Sequence, residues 1–283
     1  VSLRTIVVDT SWGPLKVVGG SRAGEGTVVL LPQLKLALDA GRAHRALAPM
    51  NTIFISHGHM DHVGAVGYWA SQRFLNSMGR ATLVVPQAIS SPVARILETF
   101  AELEGGRPYE IDVVAVDDGG ERPLRPDMDL RFFATDHWVP TLGCVVVWKK
   151  RALRAELAGL PGEEIARRRR SGQLVSEQRC LEIVSYCADS GPGIFEDHPE
   201  VVRSEVVLLE CSFFKPEDRE RATAYGHMHL DDLLAAIDQI QCRHLILLHA
   251  SRRHRLREVE SILDEQLQPK LSGSLHHLMV DWD

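Results

Sequence analysis

Four residues able to bind metal fall within six positions: His57, His59, Asp61 and His62 in His57-Gly58-His59-Met60-Asp61-His62. The segment follows the strand-like run Thr52 to Ser56 and precedes the apolar, helix-periodic stretch from Val63 to Met78. It is therefore predicted as a strand-to-helix loop at a strand's carboxyl end, where α/β proteins build their sites. Alternation sends His57 and His59 one way and the turn sends Asp61 and His62 another, so one loop can serve two metals. Imidazoles and a carboxylate without a thiolate suit zinc, with manganese or iron as alternatives. The competing reading is a polar turn that happens to be rich in histidine. HxHxDH at such a junction is too specific a pattern for that reading to lead.

Three further ligand types stand at predicted strand ends. His137 follows Phe132-Phe133-Ala134-Thr135-Asp136, Asp189 follows Ser185-Tyr186-Cys187-Ala188, and His249 follows Leu245-Ile246-Leu247-Leu248. Singly, a His or Asp at a strand end is usually a satisfied turn residue. Four strand ends that each supply a ligand type point to a shared centre. The two oxygens of Asp189 would let it bridge two metals.

The elements that must position these residues are short. Strands are predicted over Leu15 to Val18, Thr27 to Leu31, Leu34 to Leu38, Thr82 to Val85, Ile111 to Val116, Leu130 to Ala134 and Cys144 to Trp148. They continue over Leu181 to Ala188, Val206 to Glu210, His244 to His249 and Leu275 to Val280. Helices are predicted over Val63 to Met78, Ser91 to Leu103 with Pro92 in the first turn, Leu230 to Ile240, and Arg252 to Leu267. Strands first, then strands alternating with helices in both halves, imply an α/β fold in which two sheets are covered by outer helices. That is a four-layer αββα sandwich, read as one domain over residues 1–283.

Composition is that of an ordinary globular protein: 283 residues, 45% hydrophobic and 25% charged. No apolar run is long enough for a membrane span, and Val1-Ser2-Leu3-Arg4 opens no signal peptide, so a cytoplasmic protein without a membrane partner is expected. The five cysteines, Cys144, Cys180, Cys187, Cys211 and Cys242, form no CxxC pair, which argues against a disulfide scaffold or a zinc ribbon.

With these residues in place, the chain resembles the metallo-β-lactamase superfamily and, within it, the ribonuclease Z branch. HGHMDHVGA matches the superfamily's central motif, and DHWVPTLGC, YCADS and LLHASRRH match its later ligand motifs. The branch is carried by Ser21-Arg22-Ala23-Gly24, by Glu210 in LLECSF and by His227 in YGHMH. The resemblance implies two zinc ions per chain: one on His57, His59 and His137, the other on Asp61, His62 and His249, with Asp189 between them. It further implies that a metal-bridging hydroxide hydrolyses the 3′ trailer of precursor tRNA, leaving a 3′-hydroxyl on the tRNA body. Asp61 would orient the attacking water or accept its proton, and His227, its tautomer fixed by Glu210, would act near the leaving oxygen. A homodimer is implied as well, one subunit's arm presenting tRNA to the other's site.

The net charge of −6 at first discourages a nucleic-acid partner. It divides into +5 over residues 149–170, where eight Lys or Arg meet three Glu, and −11 over the rest. The eight cations are Lys149, Lys150, Arg151, Arg154, Arg167, Arg168, Arg169 and Arg170. Residues 149–180 are predicted as a basic insertion of short helical pieces, resembling the compact arm of short plant-type members, and read as a handle for tRNA backbone beside the site. A solvated charged surface is the plain alternative. Arg252 and Arg253, placed at a helix start capped by Ser251, suggest an anion there. The chain lacks the long Gly-Pro arm of bacterial enzymes and the Pro-x-Lys-x-Arg-Asn loop. That leaves open a hydrolase of this fold acting on a small ester, lactone, lactam or cyclic nucleotide.

Overall fold

The computed structural model describes residues 3–282. Two seven-stranded sheets stack face to face. The first contains β1 (Arg4–Thr10), β2 (Gly13–Arg22), β3 (Gly26–Leu31), β4 (Leu36–Ala40), β5 (Thr52–Phe54), β6 (Ala81–Pro86) and β7 (Ile111–Val116), in that spatial order. The second runs from β8 (Glu121–Arg125) through β9 (Met128–Ala134), β10 (Leu142–Leu153), β11 (Ser176–Tyr186), β12 (Val206–Glu210) and β13 (His244–Leu248) to β14 (Ser274–His277). In each sheet the first four strands are antiparallel and the last three are added in parallel. The two halves thus share a topology although no internal sequence repeat is visible.

Helices cover the outer faces. The first sheet carries α1 (Met60–Val63), α2 (Val66–Leu75) and α3 (Gln87–Leu103). In the second half lie α4 (Gly162–Arg170), α5 (Ile194–Asp197), α6 (Arg219–Tyr225), α7 (Leu230–Ala235) and α8 (Leu256–Ile262). Strand alternation divides the apolar residues between layers. On β3, Val29 and Leu31 face the core between the sheets, while Val28 and Leu30 face Trp69, Val93 and Leu97 on the helices. On β13, Ile246 and Leu248 face the inner core, while Leu245 and Leu247 meet Leu233, Val259 and Leu263. Three apolar clusters between four layers are what the αββα arrangement requires.

Several boundaries differ from expectation. Pro32 lacks an N–H and opens a 3-10 turn through Leu34, so β4 begins only at Leu36, after Lys35 with φ of 52°. β1 and β8 have no counterpart in the sequence reading. Both are edge strands, and β8 (ERPLR) has the charge and proline that edges favour and that obscure strand patterning. The long helix after the motif is broken into α1 and α2. α3 starts earlier, at Gln87, which places Pro92 inside it. The predicted helix at Leu230 ends at Ala235 and is followed by a 3-10 turn, and the last strand stops at His277.

The basic segment also differs. Lys149 to Leu153 are not helical: they continue β10, paired with Ser176 to Cys180 of β11, and α4 sits in the connection between the two strands. All five cysteines are free. Among the described residues, no helix is long and apolar enough to cross a membrane.

Candidate metal centre

Strand ends from both sheets converge. β5 leads into the loop carrying His57, His59, Asp61 and His62, and β9 leads to His137. β11 leads to Asp189, β12 ends at Glu210 and β13 leads to His249. Ligand atoms gather there in three groups, each within 4.8 Å of one another: His57, His59, His137 and Asp189; Asp61, His62 and His249; and Asp189, His227 and His249. Asp189 links them, with Oδ1 3.4 Å from His62 Nε2 and Oδ2 3.4 Å from His249 Nε2.

Hydrogen bonds fix which nitrogen each imidazole presents. His62 Nδ1 donates to Asp39 Oδ2 at 2.6 Å. Ser56 Oγ donates to the same oxygen at 2.7 Å, so it accepts from His57 Nδ1 at 3.0 Å. His137 Nδ1 donates to the Gly226 carbonyl at 3.0 Å. Ser212 Oγ donates to Glu210 Oε2 at 2.6 Å and accepts from His249 Nδ1 at 3.0 Å. All four rings are thereby left with Nε2 towards the centre, the tautomer a metal ligand needs.

The donor set fits a metal on a direct observation. His137 Nε2 is buried with no hydrogen-bond partner. His62 Nε2 and His249 Nε2 approach to 3.3 Å, and His57 Nε2 and His59 Nδ1 to 2.9 Å. A cation would satisfy these nitrogens together.

The electrostatics follow from burial and these partners. Burial pulls His57 down to about 2, aided by His62. It also lowers His59 and His137, so the first group offers neutral nitrogens. Burial disfavours charge on His62 too, but Asp189 and Asp39 overcome it and hold His62 well above the usual range. In the protein alone, a proton on His62 balances the two carboxylates where a cation would otherwise do so. Burial works against the Asp61 and Asp189 carboxylates, yet the histidines around them, chiefly His249 and His62, keep both well below the ordinary range.

The loop seats closely on the first sheet. A Cβ on Gly41 would lie 1.7 Å from the Asp61 carbonyl oxygen, so only glycine lets the motif backbone reach this position. Gly24 N donates to Asp61 Oδ2 at 2.6 Å and His249 N donates to Ser21 Oγ at 3.0 Å, which ties the Ser21 to Gly24 turn to the centre. Three non-glycine residues at the site have left-handed backbones: Asp39 (φ 60°), Ala188 (φ 51°) and His249 (φ 67°). Such conformations persist only where surrounding contacts enforce them.

In the third group, His227 Nδ1 donates to Glu210 Oε1 at 2.6 Å. The His227 ring lies 5.1 Å from that of His137 and 5.2 Å from that of His249. Burial lowers the charged form of His227, but the Glu210 carboxylate outweighs it and raises the group to about 9.

Asp39 escaped the sequence reading. It accepts from Ser56 N, Ser56 Oγ, His62 Nδ1 and the Tyr186 hydroxyl, and it is fully buried. Its signal was the one used elsewhere, a strand-end acid in LALDAG. Ser56, Tyr186 and Ser212 carried no such signal.

The candidate nucleic-acid residues are distributed differently from the ligands. Lys149 pairs with Asp129, Arg154 with Glu156, and both Arg167 and Arg168 with Glu164; Lys150 lies over Trp148. Arg151, Arg169 and Arg170 are exposed. The register corrects the arm's expected position beside the site. Cys144 and Tyr186 pair at the ligand end of the second sheet and Leu153 and Ser176 at the far end, roughly 30 Å away at about 3.3 Å per residue. Arg252 and Arg253 are exposed on a turn just after His249, with Arg252 3.5 Å from Glu25. They do not open a helix: α8 starts at Leu256, with Arg255 as its cap residue, so the helix-start argument for an anion lapses.

Two mixed sheets between helices, with a His/Asp cluster at the strand ends, define the metallo-β-lactamase fold. Comparison with known proteins agrees. The family model described as the beta-lactamase superfamily domain matches residues 4–250. The chain is 29% identical to tRNase Z TRZ1 of Arabidopsis thaliana over 266 residues, 93% of this chain and 94% of that protein. It is 34% identical to the nuclear ribonuclease Z of Triticum aestivum over 156 residues, 55% of this chain and 88% of that protein. The short form of human tRNase Z superposes with a TM-score of 0.60 over 93% of this chain and 94% of its own, at 13% identity, a likeness of fold. The chain belongs to the beta-lactamase superfamily, in its ribonuclease Z branch of metal-dependent hydrolases.

Proposed function

We propose that this protein is a dinuclear zinc endoribonuclease that removes the 3′ trailer of precursor tRNA. The observation that carries the reading is the Glu210/His227 pair beside two ligand sets joined by Asp189. A simpler hydrolase of this fold would need the ligand sets without that pair.

In this reading His57, His59 and His137 hold one ion, Asp61, His62 and His249 the other, and Asp189 both. The nitrogen and oxygen donors favour zinc over softer or purely oxygen-seeking metals. When bound, the metal supplies Lewis acidity, lowering the pKa of a water and neutralising charge on the phosphodiester.

The chain's own groups do the remainder. Asp61, held as a carboxylate, is a weak base and a good acceptor, so it orients the attacking water. His227 has Nδ1 committed to Glu210, which leaves Nε2–H to donate to the leaving oxygen. Water adds to phosphorus and gives up one proton to solvent past the Asp61 carboxylate, the P–O3′ bond breaks, and the proton from His227 completes the 3′-hydroxyl; the trailer keeps the 5′-phosphate. Glu210 keeps His227 protonated before transfer.

Residues 1–283 act as one unit with residues 149–180 as its arm. An arm about 30 Å from its own centre suits a homodimer in which each arm serves the partner's site. Ile96, Phe100 and Leu103, spaced along α3 and exposed, supply an apolar stripe for such an interface.

The test is incubation of the zinc-loaded protein with a 3′-extended precursor tRNA. Cleavage next to the discriminator base is expected, with loss of both cleavage and metal uptake in His59→Ala. Turnover of a lactone or cyclic nucleotide without any tRNA cleavage would overturn the reading.

A further inference from the structure

Next to His137 the chain leaves a large aromatic ring in solvent. Trp138 is 66% exposed, and its ring centroid lies 5.7 Å from that of His59. Tryptophan side chains are highly buried on average, so this exposure runs against stability. Trp138 forms one wall of a cleft of about 500 Å³ that is also lined by His137, Pro140, Gln87, Asp117 and Asp118. The volume falls in the range of small-molecule sites. His137 both lines the cleft and belongs to the first group of candidate ligands.

We infer that this cleft is a subsite for one nucleobase flanking the scissile phosphate, with Trp138 as its stacking surface. The inference rests on the phosphodiesterase reading and names where that substrate's base goes. An exposed indole face stacks on any base, because every base has a π face. Asp117 and Asp118 are exposed in the cleft lining and repel phosphate, so the cleft suits the uncharged part of a nucleotide. Ionised carboxylates only accept hydrogen bonds. Asp118 Oδ1 already accepts from Ala134 N at 2.9 Å, and its other oxygen and Asp117 are available to an exocyclic amine. Cytosine, adenine and guanine carry that amine and uracil does not.

The test uses the full zinc-loaded chain as wild type, Trp138→Ala and Trp138→Phe. Substrates are an intact precursor tRNA and versions made abasic at either nucleotide flanking the cleavage position. For the intact substrate, Trp138→Ala should raise KM by about 5- to 100-fold, the range for losing one stacked base, and Trp138→Phe by much less. One of the two abasic substrates should raise the wild-type KM by a similar factor and cause no further rise in Trp138→Ala. Restoring uracil at that position should give a higher KM than cytosine. A short oligonucleotide should quench tryptophan emission in wild type and lose most of that effect in Trp138→Phe. Zinc content should match wild type in both variants.

An unchanged KM in Trp138→Ala, or additive effects of the variant and the abasic site, would overturn the subsite. So would loss of zinc in Trp138→Phe, since Trp138 would then serve only to support His137. If wild type cleaves no RNA at all, the phosphodiesterase reading itself falls. RNA cleavage with Trp138 silent removes the subsite alone.

Discussion

Glu210 Oε1 and His227 Nδ1 lie 2.6 Å apart, with the carboxylate buried and the imidazole 15% exposed. The buried carboxylate has three partners: Ser190 N at 2.9 Å, Ser212 Oγ at 2.6 Å and His227. Through Ser212 it also reaches His249, so one acid positions both a candidate ligand and a candidate proton donor.

This pair gives the metal-free protein a pH-dependent stability. His227 sits at about 9 in the fold against about 6.5 unfolded. Its contribution is fully present below the unfolded value and is lost as pH rises through the folded one. The size is on the order of 3 kcal/mol. Urea unfolding of wild type and His227→Gln at pH 6 and pH 10 should show a stability gap that closes at the higher pH. A gap independent of pH would refute the assignment.

Asp39 is expected to control both folding and metal affinity. Removing its carboxylate in Asp39→Ala leaves Ser56, His62 and Tyr186 without their buried acceptor, at about 1–3 kcal/mol for each orphaned group. Metal affinity should fall about 10- to 100-fold, because His62 loses the bond that sets its tautomer. Competition with a chromogenic chelator measures the second effect and denaturant titration the first.

Gly41→Ala should damage the centre more than the fold. The added methyl meets the Asp61 backbone at 1.7 Å, and the carbonyl cannot rotate away as a side chain would. The motif loop must shift. Far-UV circular dichroism should remain near wild type while zinc stoichiometry drops, with the Asp61, His62 and His249 set losing most.

Shortening the arm separates binding from chemistry. Replacing residues 154–175 by Asn-Gly joins β10 to β11 where Leu153 pairs with Ser176. KM for precursor tRNA should rise at least about 10-fold and its dependence on salt should flatten, since fewer phosphates are contacted. Hydrolysis of a small phosphodiester should persist at the wild-type rate.

Leu103→Glu addresses assembly. Leu103 is 77% exposed at the end of the α3 stripe, so the charge should leave the monomer intact. Sedimentation should show a dimer for wild type and a monomer for the variant. An unchanged sedimentation coefficient would place the interface elsewhere.

What could be read from the chain and what could not have physical reasons. The HGHMDH loop announces itself because its donors are contiguous and flanked by a clear strand. His137, Asp189 and His249 were legible because, with the HGHMDH loop, four strand ends each supply a ligand type. Asp39 obeys the same rule but was lost when its strand was drawn two residues short, at Leu38 instead of Ala40. Tyr186 meets Asp39 across 147 residues, and no local pattern encodes that approach. The basic arm looked helical because charge and glycine outweighed the strand continuity of Lys149 to Leu153, which only pairing with β11 supplies.

The two ligand sets proposed to hold metal each draw on both sheets. His57, His59, Asp61 and His62 come from the first, and His137, Asp189 and His249 from the second. Ion occupancy and the alignment of the two halves are therefore linked quantities. A slip of one half past the other by an ångström would register as weakened affinity, and a bound cation would act as a rivet whose binding energy is also cohesion between the halves.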